Sequence, residues 1–469
     1  MRVMLINAPF IDLYGPIKAA AGRYFPLGLG YIAAVLRSGG HEVRIIDPEA
    51  EGINYGEIRR RIRTFRPQTA GISSATPNFG RACAVARIAK EEGVGTVVLG
   101  GTHASSMPEL IIKNYKEIDV VAIGEGEYTM LEMCSGMPPD QIRGIAYRSG
   151  GEFRMTPPRP FIEDVDSLPF PARDLVDLQW YRPNTYIDKG IKSATLITSR
   201  GCPNRCVFCA SHTTLGKKFR AHSTDYVMRE MEHLMRDHGV QHFVFNDDTF
   251  TMKRERVIQI CDSILAKQLR IEWYCFARVN TVDRELLALM KKAGCTSVGF
   301  GIESGDEQVL KNLKKGITLE QSRQALAICS ELDIETFAFF IFGCPGDTAE
   351  TIKKSIEFAK EIRPTLAFFN MMVPYPGTEL FNQSYADLRL LENWDDFVAI
   401  GVNPVVSPAE LSKEALQKWV YRANMEFYMR PSQLWAILKQ IRSWGELKAN
   451  LTGGYGLLLQ QLKWGGKKK

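Results

Sequence analysis

Three cysteines stand close together in the middle of the chain, at Cys202, Cys206 and Cys209. With the spacing C-x3-C-x2-C, all three thiolates face one point only if the chain loops around that point. Soft thiolate ligands in such a group bind zinc or an iron–sulfur cluster. A structural zinc site needs a fourth ligand, for which His212 is near enough, although structural zinc favours paired C-x2-C spacings. A four-iron cluster on three cysteines keeps one iron open for chemistry, and the spacing favours this interpretation.

The composition indicates the class of protein that carries this loop. The chain has 469 residues, of which 45% are hydrophobic and 24% are charged, so we expect a globular protein of two or three domains. It has no apolar run long enough to span a bilayer and begins without a signal peptide, which predicts a cytoplasmic location. The seven other cysteines are scattered singly and are expected to be reduced and buried.

The net charge of +6 is concentrated at the carboxyl terminus. Residues 431–469 hold seven lysines or arginines against one glutamate, and the other 430 residues sum to zero. A basic surface running along the whole chain is therefore not indicated, and we expect no nucleic-acid partner.

Residues 1–150 alternate short apolar strands with stretches of helical periodicity. The five predicted strands are Val3–Ile6, Val43–Ile46, Ala70–Ile72, Val97–Leu99 and Val120–Ile123. This alternation predicts a doubly wound, Rossmann-like parallel sheet with helices on both faces. Ligands of such sheets bind beyond the carboxyl ends of the strands.

A second alternating series follows a proline-rich stretch, residues 151–190, which is predicted to be a linker. The six predicted strands of residues 191–400 are Ala194–Thr198, His242–Asn246, Ile271–Phe276, Ser297–Gly301, Thr336–Phe342 and Ala367–Met372. They predict a partial (β/α)6, TIM-like barrel that is open on one side, with its site at the carboxyl ends of the strands. Residues 401–469 are predicted to be mainly helical.

The cysteine segment resembles the signature of the radical S-adenosylmethionine (SAM) superfamily, C-x3-C-x-aromatic-C, and Phe208 fills the aromatic position. The resemblance implies a [4Fe–4S] cluster on Cys202, Cys206 and Cys209, whose open iron chelates the amino and carboxylate groups of SAM. It also implies reductive cleavage of SAM to a 5′-deoxyadenosyl radical that abstracts hydrogen from unactivated carbon. The electron would come from a reducing partner such as flavodoxin or ferredoxin.

Further blocks at the predicted strand ends extend the resemblance over residues 193–380. They imply SAM contacts for Asp247, Arg278, Glu303, Ser304, Gly343 and Pro345. Arg278 would pair with the methionyl carboxylate, and Glu303 would accept both ribose hydroxyls. Simpler roles stay open: a surface ion pair for Arg278 and a helix cap for Asp247. Tyr375 is a candidate catalytic residue, with packing in the barrel mouth as the alternative.

The strand ends of the first domain are mostly small, polar or rich in glycine. Ser73 and Ser74 stand 27 and 26 positions before Gly100, a spacing similar to that of cobalamin-binding domains. The similarity implies cofactor contacts for Ser73, Ser74, Gly100, Gly101, His103, Gly124 and Glu125. No D-x-H-x-x-G motif follows the first strand to supply an axial histidine, so we expect base-off binding. His103 could approach the corrin, and a polar loop histidine is the alternative.

The order of the domains resembles the cobalamin-dependent class of radical SAM enzymes. Most characterised members methylate unactivated carbon or phosphorus, so methylation of an unactivated carbon through methylcobalamin is our leading expectation. Ring formation or oxidation without methyl transfer is the alternative, as in the anaerobic cyclase of chlorophyll synthesis. An RNA methylthiotransferase is disfavoured because only Cys83 and Cys134 precede residue 150, where such enzymes carry three further cysteines. A non-enzymatic cobalamin sensor would have no use for the cysteine triad.

The carboxyl-terminal stretch combines an apolar helical face with tryptophans and lysines. Leu434, Leu438 and Ile441 share that face with Ile437 and Trp444, and three lysines end the sequence. Such a helix either packs on the open barrel, which we favour, or lies on an anionic membrane surface. In the second case the protein would be peripheral to the membrane. A lipid, isoprenoid or tetrapyrrole would then be a more attractive small-molecule substrate.

Overall fold

The structure is a computed structural model that describes residues 1–13, 21–384, 394–399, 404–408, 410–431 and 433. Two parallel sheets with flanking helices account for most of these residues. The predicted amphipathic stretch that begins at Leu434 lies outside the described residues. None of the helices in the described part of the chain has the length and apolar character needed to cross a bilayer.

The first sheet has seven strands. They are β1 (Arg2–Asn7), β2 (Glu42–Ile46), β3 (Thr69–Ser73), β4 (Thr96–Gly100), β5 (Val120–Ala122), β6 (Ile145–Ser149) and β7 (Glu152–Met155). Their order is β2-β1-β3-β4-β5-β6-β7, and the first five are parallel. The predicted Rossmann-like sheet is therefore confirmed. The antiparallel hairpin of β6 and β7 was not predicted, and the predicted boundary at residue 150 falls at its turn.

Helices cover both faces of this sheet. They are α1 (Leu27–Ser38), α2 (Pro48–Glu51), α3 (Tyr55–Phe65), α4 (Phe79–Glu91), α5 (Thr102–Ser106), α6 (Pro108–Asn114) and α7 (Glu127–Cys134). Helices α1 and α7 pack on one face, and α3, α4 and α6 pack on the other. In α4, Ala82, Val85, Ala86 and Ala89 are buried at the three- and four-residue spacing of one helical face.

The predicted linker is an extended segment fixed to both domains. It contains three short 3-10 turns, at Val165–Ser167, Arg173–Leu175 and Leu178–Trp180, and its apolar residues Ile162, Leu168 and Ile187 are buried. Arg173 lies 2.5 Å from the buried Glu230 and also donates to the carbonyl of Thr195. Burial raises the pKa of Glu230, and the Arg173 guanidinium opposes that increase.

The second sheet has six parallel strands in the order β15-β14-β13-β12-β11-β8. The strands of this domain are β8 (Ser193–Leu196), β9 (Ser199–Arg200), β10 (Arg220–Ala221), β11 (His242–Phe245), β12 (Glu272–Ala277), β13 (Cys295–Glu303), β14 (Glu335–Phe342) and β15 (Leu366–Met371). The open six-unit barrel is confirmed. Strands β9 and β10 form a separate short antiparallel pair on either side of the cysteine loop.

The second domain has nine helices among the described residues, most of which pack around the strands. They are α8 (His212–Leu215), α9 (Thr224–His238), α10 (Arg254–Ala266), α11 (Arg284–Lys292), α12 (Glu307–Asn312), α13 (Leu319–Glu331), α14 (Ala349–Ile362), α15 (Glu379–Ser384) and α16 (Lys413–Tyr428). Helix α16 packs on α14 and β15, and the Tyr428 hydroxyl bonds both backbone groups of Ala367. In the predicted helical region after residue 400, α16 is the helix that the described residues contain.

Candidate active site

The approach to the cysteine loop is held by Asp247, which follows β11. Its carboxylate accepts hydrogen bonds of 2.6 Å from the backbone N–H and hydroxyl of Thr198 and from the hydroxyl of Ser199. These residues lead directly from β8 into the cysteine loop. The predicted alternative that Asp247 caps a helix is wrong, because the β8 end occupies both of its oxygens.

The cysteine loop is tied to the rest of the barrel at both ends. The backbone N–H of Cys202 donates to the carbonyl of Gly216 at 3.3 Å. At the other end, Val207 donates to the carbonyl of Leu313 at 3.1 Å and accepts from the N–H of Leu380 at 2.9 Å. Val207 is buried, whereas the cysteines on either side of it are partly exposed. The loop therefore has fixed ends, and its three cysteines are partly exposed.

The three sulfurs lie close enough to influence one another. Burial raises the pKa of the Cys209 thiol to about 11, and the neighbouring Cys206 and Cys202 add to the increase. The side-chain amide of Asn204 lies 3.1 Å from the Cys202 Sγ, and the Arg278 guanidinium lies 3.8 Å from the Cys206 Sγ. All seven other cysteines are buried, as predicted.

The donor set distinguishes between the two kinds of metal site. Within the described residues, no three His, Cys, Asp or Glu side chains are grouped so that they could hold one metal ion. A structural zinc site requires a fourth ligand about 2.0–2.3 Å from the ion, so the zinc alternative depends on His212 as well as on the three cysteines. A four-iron cluster takes its thiolates on different irons, and three accessible soft sulfurs fit that chemistry.

Arg278 follows β12 and brings a positive charge to the sulfurs. It is buried, donates to the carbonyl of Lys315 and lies 3.4 Å from the Asn280 side-chain oxygen. The predicted alternative of a surface ion pair is wrong, because Arg278 is buried and forms no ion pair with another described residue. A buried guanidinium beside the cysteine loop is suited to bind a carboxylate.

Glu303 ends β13 in a left-handed conformation, with φ of 66°, which is uncommon for a residue other than glycine. The pairing of β13 with β14 is irregular at this point. The carboxylate is buried 2.5 Å from the Lys315 ammonium. Its neighbour Ser304 lies 3.2 Å from the Ser355 hydroxyl and accepts from the N–H of Asp306, so the Ser304 hydroxyl bonds within the protein.

The turn after β14 is held from inside by Asp347. Its carboxylate accepts from the N–H groups of Gly343 and Cys344 at 2.9 and 2.8 Å, and burial raises its pKa to about 6. The Pro345 carbonyl accepts from the Asn312 side chain at 2.9 Å. Gly343 and Pro345 thus belong to a fixed turn at the same end of the barrel as Glu303.

Two strand ends of the first domain are joined at the predicted cobalamin residues. The N–H of Ser74 donates to the carbonyl of Gly100 at 2.9 Å, and Ser73 pairs with Gly100 in the β3–β4 ladder. Gly101 has φ of 104°, and a Cβ there would overlap the Ser74 carbonyl oxygen. Only glycine adopts this conformation without strain. The serine pair and the glycine pair therefore form one compact edge.

His103 is buried where the first domain meets a residue of the second. It belongs to α5 and is fully buried between Phe79 and Trp394, with ring centroids 4.4 and 4.8 Å away. Its Nδ1 lies 3.3 Å from the Thr76 hydroxyl, and burial lowers its pKa to about 3. The predicted alternative of a polar loop histidine is wrong, because the ring is part of an aromatic core and is neutral.

The loops that follow the cysteines and the glycine pair meet. Helix α8, directly after the cysteine loop, contacts α5, directly after Gly101. Gly377 fits against both, since a Cβ there would lie 2.7 Å from the Ser106 Oγ and 2.8 Å from the Thr213 Cγ2. The Ser105 hydroxyl on the same helix accepts from the N–H of Gly124 at 3.0 Å. The carboxyl ends of the two sheets therefore adjoin.

Beside this contact, buried charges join the domains. Glu125 lies 2.8 Å from Arg200 and 2.9 Å from Arg220, and Glu127 lies 2.7 Å from Arg200. Burial alone would lower the pKa of Arg200, but Glu127 and Glu125 raise it above its usual range. Glu125 also accepts from the N–H of Ile162. Its carboxylate, predicted to contact a cofactor, is engaged within the protein.

An apolar cluster also joins the domains, at Val207 within the cysteine loop. It includes Val207, Leu313 and Phe381 from the second domain and continues into the core below α4 and α6 of the first. Phe208 and Tyr375 are partly buried and pack against it. This position agrees with the packing alternative for Tyr375, and its catalytic role stays a prediction.

Several residues of the site were not singled out by the sequence. They are Glu127, Arg200, Arg220, Lys315 and Asp347. Arg200 is two residues before Cys202, and Asp347 stands in the turn that contains Gly343 and Pro345. For Arg200 and Asp347, position within these segments could have indicated a role in the site. Arg220 and Lys315 carry no local signal, because their partners are distant in sequence.

Two family models match the chain in the same places as its two domains. The B12 binding domain matches residues 16–133, and the Radical SAM superfamily matches residues 196–359.

Curated relatives match over most of their length. An uncharacterized methyltransferase of Pyrococcus horikoshii is 35% identical over 92% of this chain and 94% of that protein. The anaerobic magnesium-protoporphyrin IX monomethyl ester cyclase of Rubrivivax gelatinosus is 29% identical over 92% of this chain and 78% of the cyclase. The cytidylyl-2-hydroxyethylphosphonate methyltransferase of Streptomyces wedmorensis is 30% identical over 76% and 77% of the two chains.

Two solved structures share the fold. The radical SAM methyltransferase TsrM of Kitasatospora setae, with cobalamin and a [4Fe–4S] cluster bound, has a TM-score of 0.71 at 16% identity, over 98% of this chain and 99% of TsrM. The cobalamin-dependent radical SAM enzyme OxsB has a TM-score of 0.73 at 19% identity, over 98% of this chain and 72% of OxsB. With the cysteine loop, the two sheets and the matching relatives together, the chain belongs to the radical SAM superfamily and is a cobalamin-dependent radical SAM enzyme.

Proposed function

We propose that the protein methylates an unactivated carbon of a small molecule, with the methyl group carried by cobalamin. The observation that carries this proposal is the contact of α8 with α5 at Gly377. A methyl group on a corrin reaches a carbon activated beside SAM only where the two sites adjoin. Relatives named as methyltransferases support the proposal.

In this proposal, residues of the second domain bind the cluster and SAM. When bound, the cluster, SAM and cobalamin supply the electron, the hydrogen-abstracting radical and the transferable methyl group. Cys202, Cys206 and Cys209 would hold the cluster, and Phe208, which packs against the apolar cluster, stands between the second and third of them in the sequence. Asp247 positions the loop by holding Thr198 and Ser199, and it does not itself contact SAM.

The SAM contacts follow from the charges and the backbone of the strand ends. Arg278 would bind the methionyl carboxylate, and Glu303, whose carboxylate lies beside the Lys315 ammonium, would accept the ribose hydroxyls. Gly343 and Pro345 present backbone to the adenine because Asp347 fixes their turn. Ser304 supports this edge through its bond with the Ser355 side chain rather than through the cofactor.

Small residues of the first domain make room for cobalamin. Ser73, Ser74, Gly100, Gly101 and Gly124 line the edge of the sheet and permit close approach of backbone to the nucleotide tail. His103 supports this edge from inside α5, and Glu125 anchors the neighbouring turn to the cysteine loop. We retain base-off binding as the expected state of the corrin.

The remaining assignments are part of the same proposal. The cobalamin domain spans residues 1–150, the connector residues 151–190, the radical domain residues 191–400 and the helical region residues 401–469. The substrate is a small molecule, and the electron comes from a carrier such as flavodoxin or ferredoxin. A cytoplasmic location and membrane contact through the tail stay predictions.

A label-transfer experiment tests methyl transfer before the substrate is known. The protein is reconstituted anaerobically with iron and hydroxocobalamin, reduced, and incubated with SAM that carries a deuterated methyl group. The corrin is then extracted and measured by mass spectrometry. The proposal predicts a corrin that has gained the labelled methyl group, and a sample without reductant serves as the control.

The alternative is a cobalamin-binding radical enzyme that forms rings or oxidises, for which the 29% identical cyclase is the relevant relative. It predicts 5′-deoxyadenosine in the same reaction with no label in the corrin. That outcome would reject methyl transfer and leave the family assignment intact.

A further inference from the structure

The strands of the second domain carry two alternating sets of side chains. One set packs against the helices that surround the strands, and in β14 and β15 it includes Ala338, Phe340 and Phe369. The residues between them belong to a separate apolar cluster that contains no residue of these helices. Because successive side chains of a strand point to opposite faces, this second set faces the inside of the barrel.

Three phenylalanines of the inner set lie side by side and are partly exposed. Phe276, Phe339 and Phe368 come from β12, β14 and β15, and we name them the aromatic floor. The ring centroids of Phe276 and Phe339 are 6.1 Å apart, and those of Phe339 and Phe368 are 5.0 Å apart. Tyr274 and Phe337, two residues earlier on β12 and β14, are buried. The floor is therefore exposed toward the carboxyl ends of the strands, the end that carries the cysteine loop.

Strand β13 contributes a glycine where its neighbours contribute rings. A Cβ at Gly299 would lie 3.1 Å from the Phe276 Cδ1 and 3.2 Å from the Phe339 Cε2. The same Cβ would overlap the Tyr274 hydroxyl. A side chain at this position would displace the rings, so glycine allows the rings of β12 and β14 to meet across β13.

The next inward residue of β13 sets the height of the space above the aromatic floor. A Cβ at Gly301 would lie 2.5 Å from the Glu303 carboxylate and 2.7 Å from the Lys315 ammonium. Two residues of a strand rise by about 7 Å, so the carboxylate proposed to hold the SAM ribose stands about that far above the level of Gly299. Carbon atoms make contact at about 3.5–4 Å. One flat layer of atoms therefore fits between the floor and the level of the ribose.

The aromatic floor has no cation within its cluster. The two cations at the next level are already engaged, because Lys315 pairs with Glu303 and Arg278 donates to the carbonyl of Lys315 beside Cys206. A phosphate or carboxylate on the floor would lose its hydration without gaining a counter-ion, which is unfavourable. The floor therefore suits an uncharged part of a ligand.

We propose that the aromatic floor binds a flat, uncharged aromatic ring of the substrate and so places a carbon on or next to that ring beside the SAM ribose. Aromatic rings pack on one another in offset-stacked or edge-to-face pairs, and each pair adds about 2- to 10-fold in affinity beyond its buried area. The inference rests on the proposed function, because it names the substrate class of that same site.

Equilibrium dialysis with three probes of one carbon skeleton tests the proposal. The holoenzyme, with iron, hydroxocobalamin and SAM bound and without reductant, is dialysed anaerobically against 2-naphthol, its saturated analogue decahydro-2-naphthol, or 2-naphthyl phosphate. Phe339→Leu replaces the central ring of the floor with an apolar side chain. Phe340→Leu, at the next residue but in the outer set, is the matched control. If Phe339→Leu binds less iron than the wild type, Phe276→Leu takes its place with the same expectation.

We expect the wild type to bind 2-naphthol about 2- to 10-fold more tightly than decahydro-2-naphthol, although the saturated compound is the more apolar of the two. The phosphate ester should bind more weakly than 2-naphthol. The floor variant should lose the preference for the aromatic probe, and Phe340→Leu should keep it. Equal affinities for the two naphthols in the wild type, an unchanged preference in the floor variant, or tighter binding of the phosphate ester overturns the proposal.

The substrate class and methyl transfer fail separately. Equal affinities for the two naphthols, together with a labelled corrin in the label-transfer experiment, overturn the substrate class alone. A preference for the aromatic probe, together with an unlabelled corrin, overturns methyl transfer alone.

Discussion

The interface of the two domains has a charged half, at the strands β9 and β10 that flank the cysteine loop, and an apolar half, at Val207 within the loop. The charged half pairs Glu125 and Glu127 with Arg200 and Arg220. The apolar half packs Val207 and Leu313 into a core shared with the first domain. Charge pairs are directional and fix the loop in one position, whereas apolar burial depends mainly on volume and tolerates change of shape.

The largest effect should follow from removal of a cluster ligand, because both halves of the interface hold the cysteine loop. Cys202→Ala deletes one cluster ligand, so we expect loss of most bound iron and a fall of about 1,000-fold or more in 5′-deoxyadenosine formation. Iron quantitation and turnover with deazaflavin measure both. Cys261→Ala, at a buried cysteine outside the loop, should keep its iron. Full iron content in Cys202→Ala would contradict the cluster assignment.

The charged half should stabilise the protein much less when a single charge is neutralised. Glu125→Gln keeps the size of the side chain but leaves two buried guanidiniums with one carboxylate, and we expect a loss of about 3–5 kcal/mol in the free energy of unfolding. Urea denaturation measures this loss. The control Glu152→Gln breaks an exposed pair with Arg154 and should cost less than about 1 kcal/mol. Equal small costs for both variants would show that the interdomain charges do not anchor the domains.

Asp347 is a buried carboxyl that pairs with no cation among the described residues, and it should make stability depend on pH. Burial raises the pKa of Asp347 in the folded state to about 6, from the 3.8 that is usual for an aspartate. The folded state therefore binds the proton more tightly, and stability falls as pH rises from about 4 to about 6. In Asp347→Asn the free energy of unfolding should fall by about 2–3 kcal/mol less over this pH range than in the wild type. Free energies of unfolding at pH 4.5 and 7 measure the difference. Asp140→Asn, at an exposed position, is the control. If the free energy of unfolding depends on pH in the same way in wild type and Asp347→Asn, the raised pKa of Asp347 is contradicted.

The apolar half should tolerate a change of shape. Leu313→Met conserves volume at a fully buried position, and we expect a cost below about 1.5 kcal/mol with unchanged iron content. The backbone carbonyl that holds Val207 is unaffected by this change. Comparison with Glu125→Gln, which also conserves size, separates the two halves directly. If Leu313→Met lowers the free energy of unfolding by as much as Glu125→Gln or more, the apolar half is not the more tolerant of the two.

Periodicity predicted both sheets because each parallel strand carries its own apolar signal. The hairpin of β6 and β7 escaped because Glu152 and Arg154 on its edge strand are charged, and pairing at an edge does not require an apolar run. The cysteine loop was predictable for the same local reason as the strands. Its three ligands lie within eight residues.

Contacts between distant residues could not be read in the same way. The partners of Glu125, Arg200 and Arg220, are 75 and 95 positions away, so nothing local shows that its carboxylate is already used. Asp247 was assigned to a cofactor or a helix cap, whereas it holds Thr198, 49 positions earlier. The alternative of a polar loop histidine for His103 is wrong for the same reason, because Trp394, which buries it, comes from the far end of the barrel domain.

The central claim is that the cluster and the corrin lie next to each other across the contact of α5 with α8. Electron paramagnetic resonance of the anaerobic holoenzyme, with cobalt(II) corrin and the reduced cluster present together, tests it directly. We predict that magnetic interaction broadens or splits the cobalt signal and that oxidation of the cluster restores the simple signal. A spectrum equal to the sum of the two separate centres would contradict the account.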